Sequence, residues 1–560
     1  MACVSHAPAI DVLVIGSGAA GLAAAVSAER AGGRVALATK TTLQANNSSK
    51  AQGGIQAAYG DDDSPEQHAE DVLRSSHGTA DPALVEVLTS EARSAISWLE
   101  ELGCGFTREN GGYRLARCGG ATRKRLLQVG DRTGHAITKT LREQQEAGEA
   151  ETLAHHRLES LEPDGAGWRA TFTTPDGTSA VSAGAVVLAS GGRCYAEAGR
   201  RGELSTNHPN ATGETTRIAL DAGAEARDLD ALQYHPNGGA WPPTMQGYSI
   251  PETTRSYGAV LLNSEGEEFT ARYGVSEEGR YVTTRDVATY AIVKEVEAGR
   301  GSPHGGAYLS FEHCSESALR QAFGPVIDRL ANNQIDLTRM PIEVAPIAHY
   351  HMGGVIADER MATEVAGLFV AGEAVGGANG ANRLSGNAIT EALVFGRRAG
   401  RSAAERVKRM PTHPFGAEAA RPTIDLIAAS GNGDDLNTAA MIERLQATMA
   451  DDVGPLRTQA RLARALAAID EMTRTLGARP MGDNKPFDLR RLDWFDLRNM
   501  LLVARAVTMS ALARGESRGA HQREDLPGML SQWRLNQVAR LESGGLALTP
   551  APVVTPAAAQ

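Results

Sequence analysis

Residues 11–40 read DVLVIGSGAAGLAAAVSAERAGGRVALATK, and no other stretch limits the fold as tightly. VLVI is an apolar run of strand length, LAAAVSAERA is an Ala-rich helix, and VALAT is a second apolar strand. Strand, turn, helix and strand in that order make a βαβ unit of a parallel sheet. The turn holds Gly16, Gly18 and Gly21 at GxGxxG spacing. Gly16 permits the tight turn, Gly18 admits a pyrophosphate to the backbone, and Gly21 lets the helix pack close to the strand. The phosphates then sit among Ser17, Ala19 and Ala20 at the helix N-terminus, where unpaired N–H groups and the dipole favour anions.

The fingerprint lacks one part. An acid for the ribose is expected about 20 residues on, but that place reads Thr39-Lys40. This disfavours NAD and leaves FAD, with Lys40 against the adenosine half. Two later apolar runs also end in glycine, as a strand edge does at a ligand. They are GAVVLASGG (184–192), ending in Ser190, Gly191 and Gly192, and GLFVAGEAVGG (367–377). Between them lies a mixed stretch with turns such as NSEGEE (263–268). The expected fold is therefore α/β, with a Rossmann-like FAD-binding domain in two segments, 1–231 and 350–422. An inserted α+β capping domain covers 232–349. A C-terminal helical domain covers 423–545, where LNTAAMIERLQATMA, ARLARALAAIDEMTRTLG and FDLRNMLLVARAVTMSALARGES read as helices. Residues 546–560 are rich in Pro and Ala and read as a disordered tail.

Net charge is −11, from 56 basic and 67 acidic residues, with no long basic run, which argues against nucleic acid as a partner. An acidic chain that binds an anion needs a local cluster of Arg and His. The five cysteines show no CxxC spacing. That argues against a disulfide framework, an iron–sulfur cluster or a zinc site in this chain, and no metal is expected. The apolar run near the start holds Asp11 and leads into the glycine turn, unlike a signal peptide. No segment approaches ~18 uncharged apolar residues, so no direct membrane span is expected. The expected setting is cytoplasmic, or peripheral to a membrane through a partner.

Five motifs occur in order: GSGAAGLAAA, SSKAQGGIQAA, HYHMGGV, AGEAVGGANGANRLSGNAITEAL and ESRGAHQRED. Together they resemble the flavoprotein family of succinate dehydrogenase, fumarate reductase and L-aspartate oxidase, over residues 10–530. The resemblance implies that Ser48, Ser49, Gln52, Gly53 and Gly54 form a flavin cradle, where glycine lets backbone N–H groups approach the ring. It places Glu214 at the adenosine portion, Glu373 at the ribityl or pyrophosphate region, and Asn387, Ala388 and Ile389 near the pyrimidine. Membrane-bound succinate dehydrogenases in the family carry the flavin on a histidine four residues before AQGG, which here is residues 51–54. Here that residue is Asn47, so FAD is expected to be noncovalent.

The resemblance also implies a substrate site. His235 (QYHPNG), His349 (IAHYHMGGV) and Arg383 (GANRLSGN) bind carboxylates of a small dicarboxylate. Arg285 (TTRDVATYAI) transfers the proton, and Glu252 (IPETTRSYG) relays it. His351 is extra and is read as shaping its loop. Two positions depart from the family. Pro251 stands where a threonine hydroxyl usually meets a carboxylate, and it offers no donor. Cys118 stands where L-aspartate oxidase has a glutamate for the substrate amine.

The implied activity is that of a soluble FAD oxidoreductase passing hydride between flavin N5 and a C4-type dicarboxylate. Two rivals stand beside it. L-aspartate oxidase is one, suggested by DDSPEQHAEDVL (62–73). A non-catalytic FAD-bound electron-transfer subunit is the other, disfavoured by the joint presence of His235, Arg285, His349 and Arg383. Electrons would pass to a separate iron–sulfur subunit, another electron-transfer partner, or oxygen.

Overall fold

In a computed structural model of the chain the βαβ unit forms as strand Ile10–Ile15, helix Ala19–Arg30 and strand Val35–Ala38. The structure describes residues 10–130, 132–193, 205–251, 254, 258–274, 284–410, 418–429, 436–482, 488–543 and 545–554. Val12, Leu13 and Val14 are wholly buried, as in a strand covered by helices on both faces.

These strands enter a seven-stranded sheet. Five members run parallel, in the order Glu151–Leu153, Val35–Ala38, Ile10–Ile15, Gly177–Leu188 and Leu368–Val370. The antiparallel strands Gly167–Thr174 and Arg157–Asp164 continue from the first half of Gly177–Leu188. The apolar run at 184–192 thus supplies only the end of a longer strand. Leu368–Val370 pairs with Val186–Leu188, so both segments expected to bind FAD build one sheet. Helix Asn387–Lys408 lies across helix Ala19–Arg30. Side chains at Gly396 or Gly400 would collide with the carbonyls of Ala20 and Ala24, so the two helices meet backbone to backbone.

Residues 232–351 form a separate antiparallel sheet, ordered Leu232–Gly239, Ile342–His351, Ala307–Ser310 and Val260–Leu262. Helices Arg285–Glu297 and Glu316–Ala331 accompany it, and Phe269, Ile292, Leu309 and Leu319 lie in its own apolar core. Helices Thr438–Val453, Gln459–Leu476 and Leu489–Ala513 pack around Leu445, Ile469, Trp494 and Leu501.

The expected disordered tail is corrected. Gly545–Pro552 is a strand paired with Leu535–Glu542, in a sheet completed by Ala226–Arg227 and Gly354–Val355. The helical region therefore ends in a hairpin. In LALTPAP the apolar residues alternate, and Leu546 is buried beside Leu220 and Ala506. Pro550 and Pro552 lie in the outermost strand, where a missing N–H costs little. Residues 555–560 fall outside the described residues.

Candidate functional site

A cavity of about 720 Å³ runs from the glycine turn to the 232–351 unit. At its first end the wall is mostly backbone and small side chains. Gly16 has φ +113, and the Ala189 carbonyl packs where its side chain would be. Helix Ala19–Arg30 starts without a side-chain cap from Gly18, while the Ala19 N–H donates to Ser48 Oγ at 3.1 Å. A side chain at Gly21 would strike the Gly16 carbonyl. Ser17 and Thr39 hydroxyls share a buried hydrogen bond of 3.1 Å. Lys40 and Glu214, both on the wall, form an ion pair with each other.

Next comes the stretch around AQGG. Gly54 has φ +131 and is pressed on the Leu127 carbonyl, whereas the missing side chain of Gly53 faces open space. Gln128 Nε2 donates to Gly53 O at 2.9 Å and holds this edge in place. Ser190 bonds Thr215 at 2.5 Å, and Glu373 accepts the His351 N–H at 3.0 Å. Ala388 and Ile389 reach the wall from the start of helix Asn387–Lys408. Asn387 stands behind them, its Oδ1 3.0 Å from His68 Nε2 and its Nδ2 buried without a protein partner. Ala19, Gly21, Ser49 and Gly192 likewise back the wall without lining it.

The other end gathers His235, Arg285, His349 and Arg383 from four separate segments into the same cavity. The His235 and His349 rings meet edge to face, with centroids 5.2 Å apart. Gln233 Oε1 accepts from Arg285 at 2.9 Å and from Arg383 at 3.1 Å. Arg285 also donates to Ser385 Oγ at 3.1 Å. The Arg383 guanidinium lies over the Tyr350 ring at 4.3 Å, and the Tyr350 hydroxyl donates to Glu391 at 2.5 Å. Burial pushes the Glu391 carboxyl up to about 7. Burial, then chiefly the Arg285 charge, hold His349 well below the usual imidazole range, so its ring is neutral. His235 Nδ1 accepts the Asn237 N–H at 3.1 Å, which leaves the ring proton on Nε2.

The cavity of about 720 Å³, the close glycine edges and the unsatisfied Asn387 amide fit FAD. The family described as "FAD binding domain" matches residues 11–389, and "Fumarate reductase flavoprotein C-term" matches residues 442–557. The chain belongs to the fumarate reductase and succinate dehydrogenase flavoprotein family. FAD is its cofactor.

Among family members, the chain is 35% identical to a subunit of the CoM/CoB fumarate reductase of Methanothermobacter marburgensis, over 94% of this chain and 96% of that one. It is 33% identical to L-aspartate oxidase of Streptomyces coelicolor, over 96% and 93% of the two chains. A solved chain of a variant E. coli quinol fumarate reductase superposes with a TM-score of 0.90 at 27% identity, covering 98% of each chain.

Glu252 lies outside the described residues. Pro251 lines the cavity and offers no backbone donor to it. Cys118 is buried in a turn whose Gly120 abuts Leu384 and Thr284, the neighbours of Arg383 and Arg285. His351 bonds Arg193 in the interior and is not on the wall. Sequence reasoning missed Gln233, Thr206 and Tyr248. Thr206 Oγ1 is 2.8 Å from His349 Nδ1. Gln52 Nε2 donates to the Tyr248 hydroxyl at 2.7 Å, while Arg329 covers the Tyr248 ring at 4.1 Å. For Gln233 the available signal was its place two residues before His235 in a strand, where alternate residues share a face.

Proposed function

We propose that the chain is a dicarboxylate oxidoreductase of the fumarate reductase type. A C4-type dicarboxylate binds between His235, His349 and Arg383, and Arg285 moves the proton at the reacting carbon. The observation that carries this reading is the convergence of Arg285 and Arg383 on one amide oxygen, in the cavity that begins at the dinucleotide turn. Two buried guanidinium groups at one end of the cavity offer a dianion charge-assisted hydrogen bonds, which are the strong ones. Neutral His349 donates one further hydrogen bond without adding charge. Arg285 is fixed at two nitrogens, by Gln233 and Ser385, which aims the rest of its guanidinium. A guanidinium holds its protons tightly, so Arg285 acts as an acid only through brief sharing of one of them. Glu252 is the proposed relay that returns it. Bound FAD supplies or accepts hydride at its flavin N5. Residues 232–349 act as a cap that excludes water from this charged end, on a Rossmann-like FAD-binding domain.

FAD is held without a covalent link. Asn47 is on the wall with its Oδ1 accepting the His208 N–H at 2.5 Å, and a carboxamide offers no nucleophilic ring nitrogen. Acid precipitation is expected to release all the flavin. Fluorescence that stays with the denatured protein would overturn this.

Electrons enter or leave through a separate iron–sulfur or other electron-transfer subunit. Relatives named as subunits of fumarate reductases support this. Among the described residues no group of His, Cys, Asp and Glu is placed to hold a metal, and no helix is long and apolar enough to cross a membrane.

Anaerobic stopped-flow at the flavin band tests the substrate. Reduced flavin is expected to be reoxidised by fumarate, or a substituted fumarate, faster than aspartate reduces the oxidised form. A buried ammonium without an accepting partner loses several kcal/mol of hydration, and Cys118 replaces the acid that would meet it. Pro251 opens room for a substituent. Rapid bleaching by aspartate with no response to fumarate-type acceptors would assign L-aspartate oxidase instead.

A further inference from the structure

Behind the two arginines lies a second set of bonds that does not touch the cavity. Asp286 follows Arg285 in the first turn of helix Arg285–Glu297, and its carboxylate is buried. Its Oδ1 accepts from Asn382 Nδ2 at 3.1 Å, and its Oδ2 lies 3.2 Å from His77 Nε2. Asn382 immediately precedes Arg383, and its own Oδ1 accepts from Gln233 Nε2 at 2.9 Å. Gln233 therefore ties the two guanidinium heads together, while Asp286 and Asn382 tie the chain behind each of them.

We propose that Asp286 and His77 are positioning residues that set the spacing between Arg285 and Arg383, a role that rests on the dicarboxylate reading. Arg285 belongs to the 232–351 unit and Arg383 to the loop before helix Asn387–Lys408. No covalent neighbour relates them, and like charges at close range repel. A carboxylate bonded beside both backbones adds a constraint to the one that Gln233 supplies at the heads.

His77 completes it from a third segment. It sits at φ +52 in the turn after helix Pro65–Ser75. Arg518 donates to its carbonyl at 2.6 Å and Arg534 to that of Gly78 at 3.2 Å, so the turn is anchored on its far side. Burial pushes the Asp286 carboxyl up, but hydrogen bonds from His77 and Thr284 and the His77 charge hold it below its ordinary value. The acceptor thus stays ionised, with both oxygens used.

The test compares Asp286→Asn, His77→Ala and His77→Gln in the FAD-loaded protein. Steady-state reduction of fumarate by reduced methyl viologen gives kcat and KM. Hydrogen exchange read by mass spectrometry on peptides 284–290 and 379–385 gives a measure independent of turnover. Asp286→Asn keeps the shape and loses one acceptor. Misplacement of a catalytic group by about 1 Å costs as much as ~10²-fold. We expect kcat to fall by at least ~10-fold on that scale, more than KM rises, with both peptides exchanging faster. His77→Ala should match it, the double variant should be no worse than either, and His77→Gln should recover most of the rate through its amide donor. FAD content should not change. Unchanged kcat in Asp286→Asn, additive losses, or faster exchange confined to residues 76–81 would overturn the proposal. If the wild type ignores fumarate and every other dicarboxylate, the substrate reading falls. In that case coupled exchange of the two peptides upholds the tie and independent exchange ends it.

Discussion

At the dinucleotide end of the cavity, contacts come from the main chain: Gly16, Gly18, Gly53 and Gly54, with Lys40 and Glu214 neutralising each other. At the substrate end they come from long side chains, Arg285, Arg383, His235 and His349, brought together from segments up to 148 residues apart (383 minus 235). At Gly16 and Gly54 the chain tolerates no added atom, because the opposing backbone carbonyls cannot rotate away. Side-chain contacts tolerate no loss of a charged or donating group. The first end should fail sterically and the second chemically, and each should fail without the other.

The largest effect is expected from Arg285→Ala. Loss of a proton donor costs about 10²-fold or more in kcat, while the flavin absorption of the purified protein should stay as in the wild type. Loss of colour along with turnover would show that the two ends are not separable. Gly21→Ala tests the other end. Its new methyl meets the Gly16 carbonyl, and FAD binding to the apoprotein should weaken by at least ~10-fold, which is about 1.4 kcal/mol. Titration of apoprotein with FAD checks this, and unaltered affinity would remove the steric argument.

A third prediction concerns acid. His68, behind the wall and bonded to Asn387, has a pKa lowered from 6.5 to about 4, chiefly by burial and then by the Arg125 charge. Its folded form refuses a proton that the unfolded chain accepts. Stability from this group is complete above 6.5 and is lost as pH falls toward 4, by about 3 kcal/mol at most. Buried His349 and His521 shift in the same direction. Thermal melts from pH 7 to pH 5 should show a falling midpoint, and His68→Gln should flatten the slope. An equal slope in the variant would exclude His68 as a contributor. The smallest effect belongs to removal of residues 545–560. Loss of one buried leucine costs about 2 kcal/mol and a midpoint shift of about 2 °C in a chain of this length. FAD content and turnover should be preserved. A colourless truncated protein would link the hairpin to the cavity.

The dinucleotide end was legible because its signal is local. Glycine spacing and apolar periodicity lie within 30 consecutive residues, 11–40. The substrate residues were found through motifs resembling those of a known family, since no spacing within this chain relates Arg285 to Arg383. Gln233, Thr206, Tyr248 and His77 were missed for the same physical reason. Each is an ordinary polar residue locally, and its role exists only after distant strands and turns meet. The tail was misread because Pro and Ala content was weighed above the alternation of Leu546 and Leu548, which an edge strand exploits despite its prolines.

The strand Leu368–Val370 and the helix Asn387–Lys408 complete a sheet and a helix pair begun at residues 10–30. During synthesis the amino-terminal half must wait for more than 350 residues before its Ala-rich helix is covered (387 minus 30). Contacts so far apart in sequence make folding slow, and the open intermediate exposes apolar surface. The 232–351 unit, with its own core, can fold during that wait. Its folding brings the ends of the two nucleotide-binding segments together and shortens the search that joins them. Nascent chains stalled before residue 368 should therefore depend most heavily on chaperones, and chains stalled after residue 408 should depend on them least.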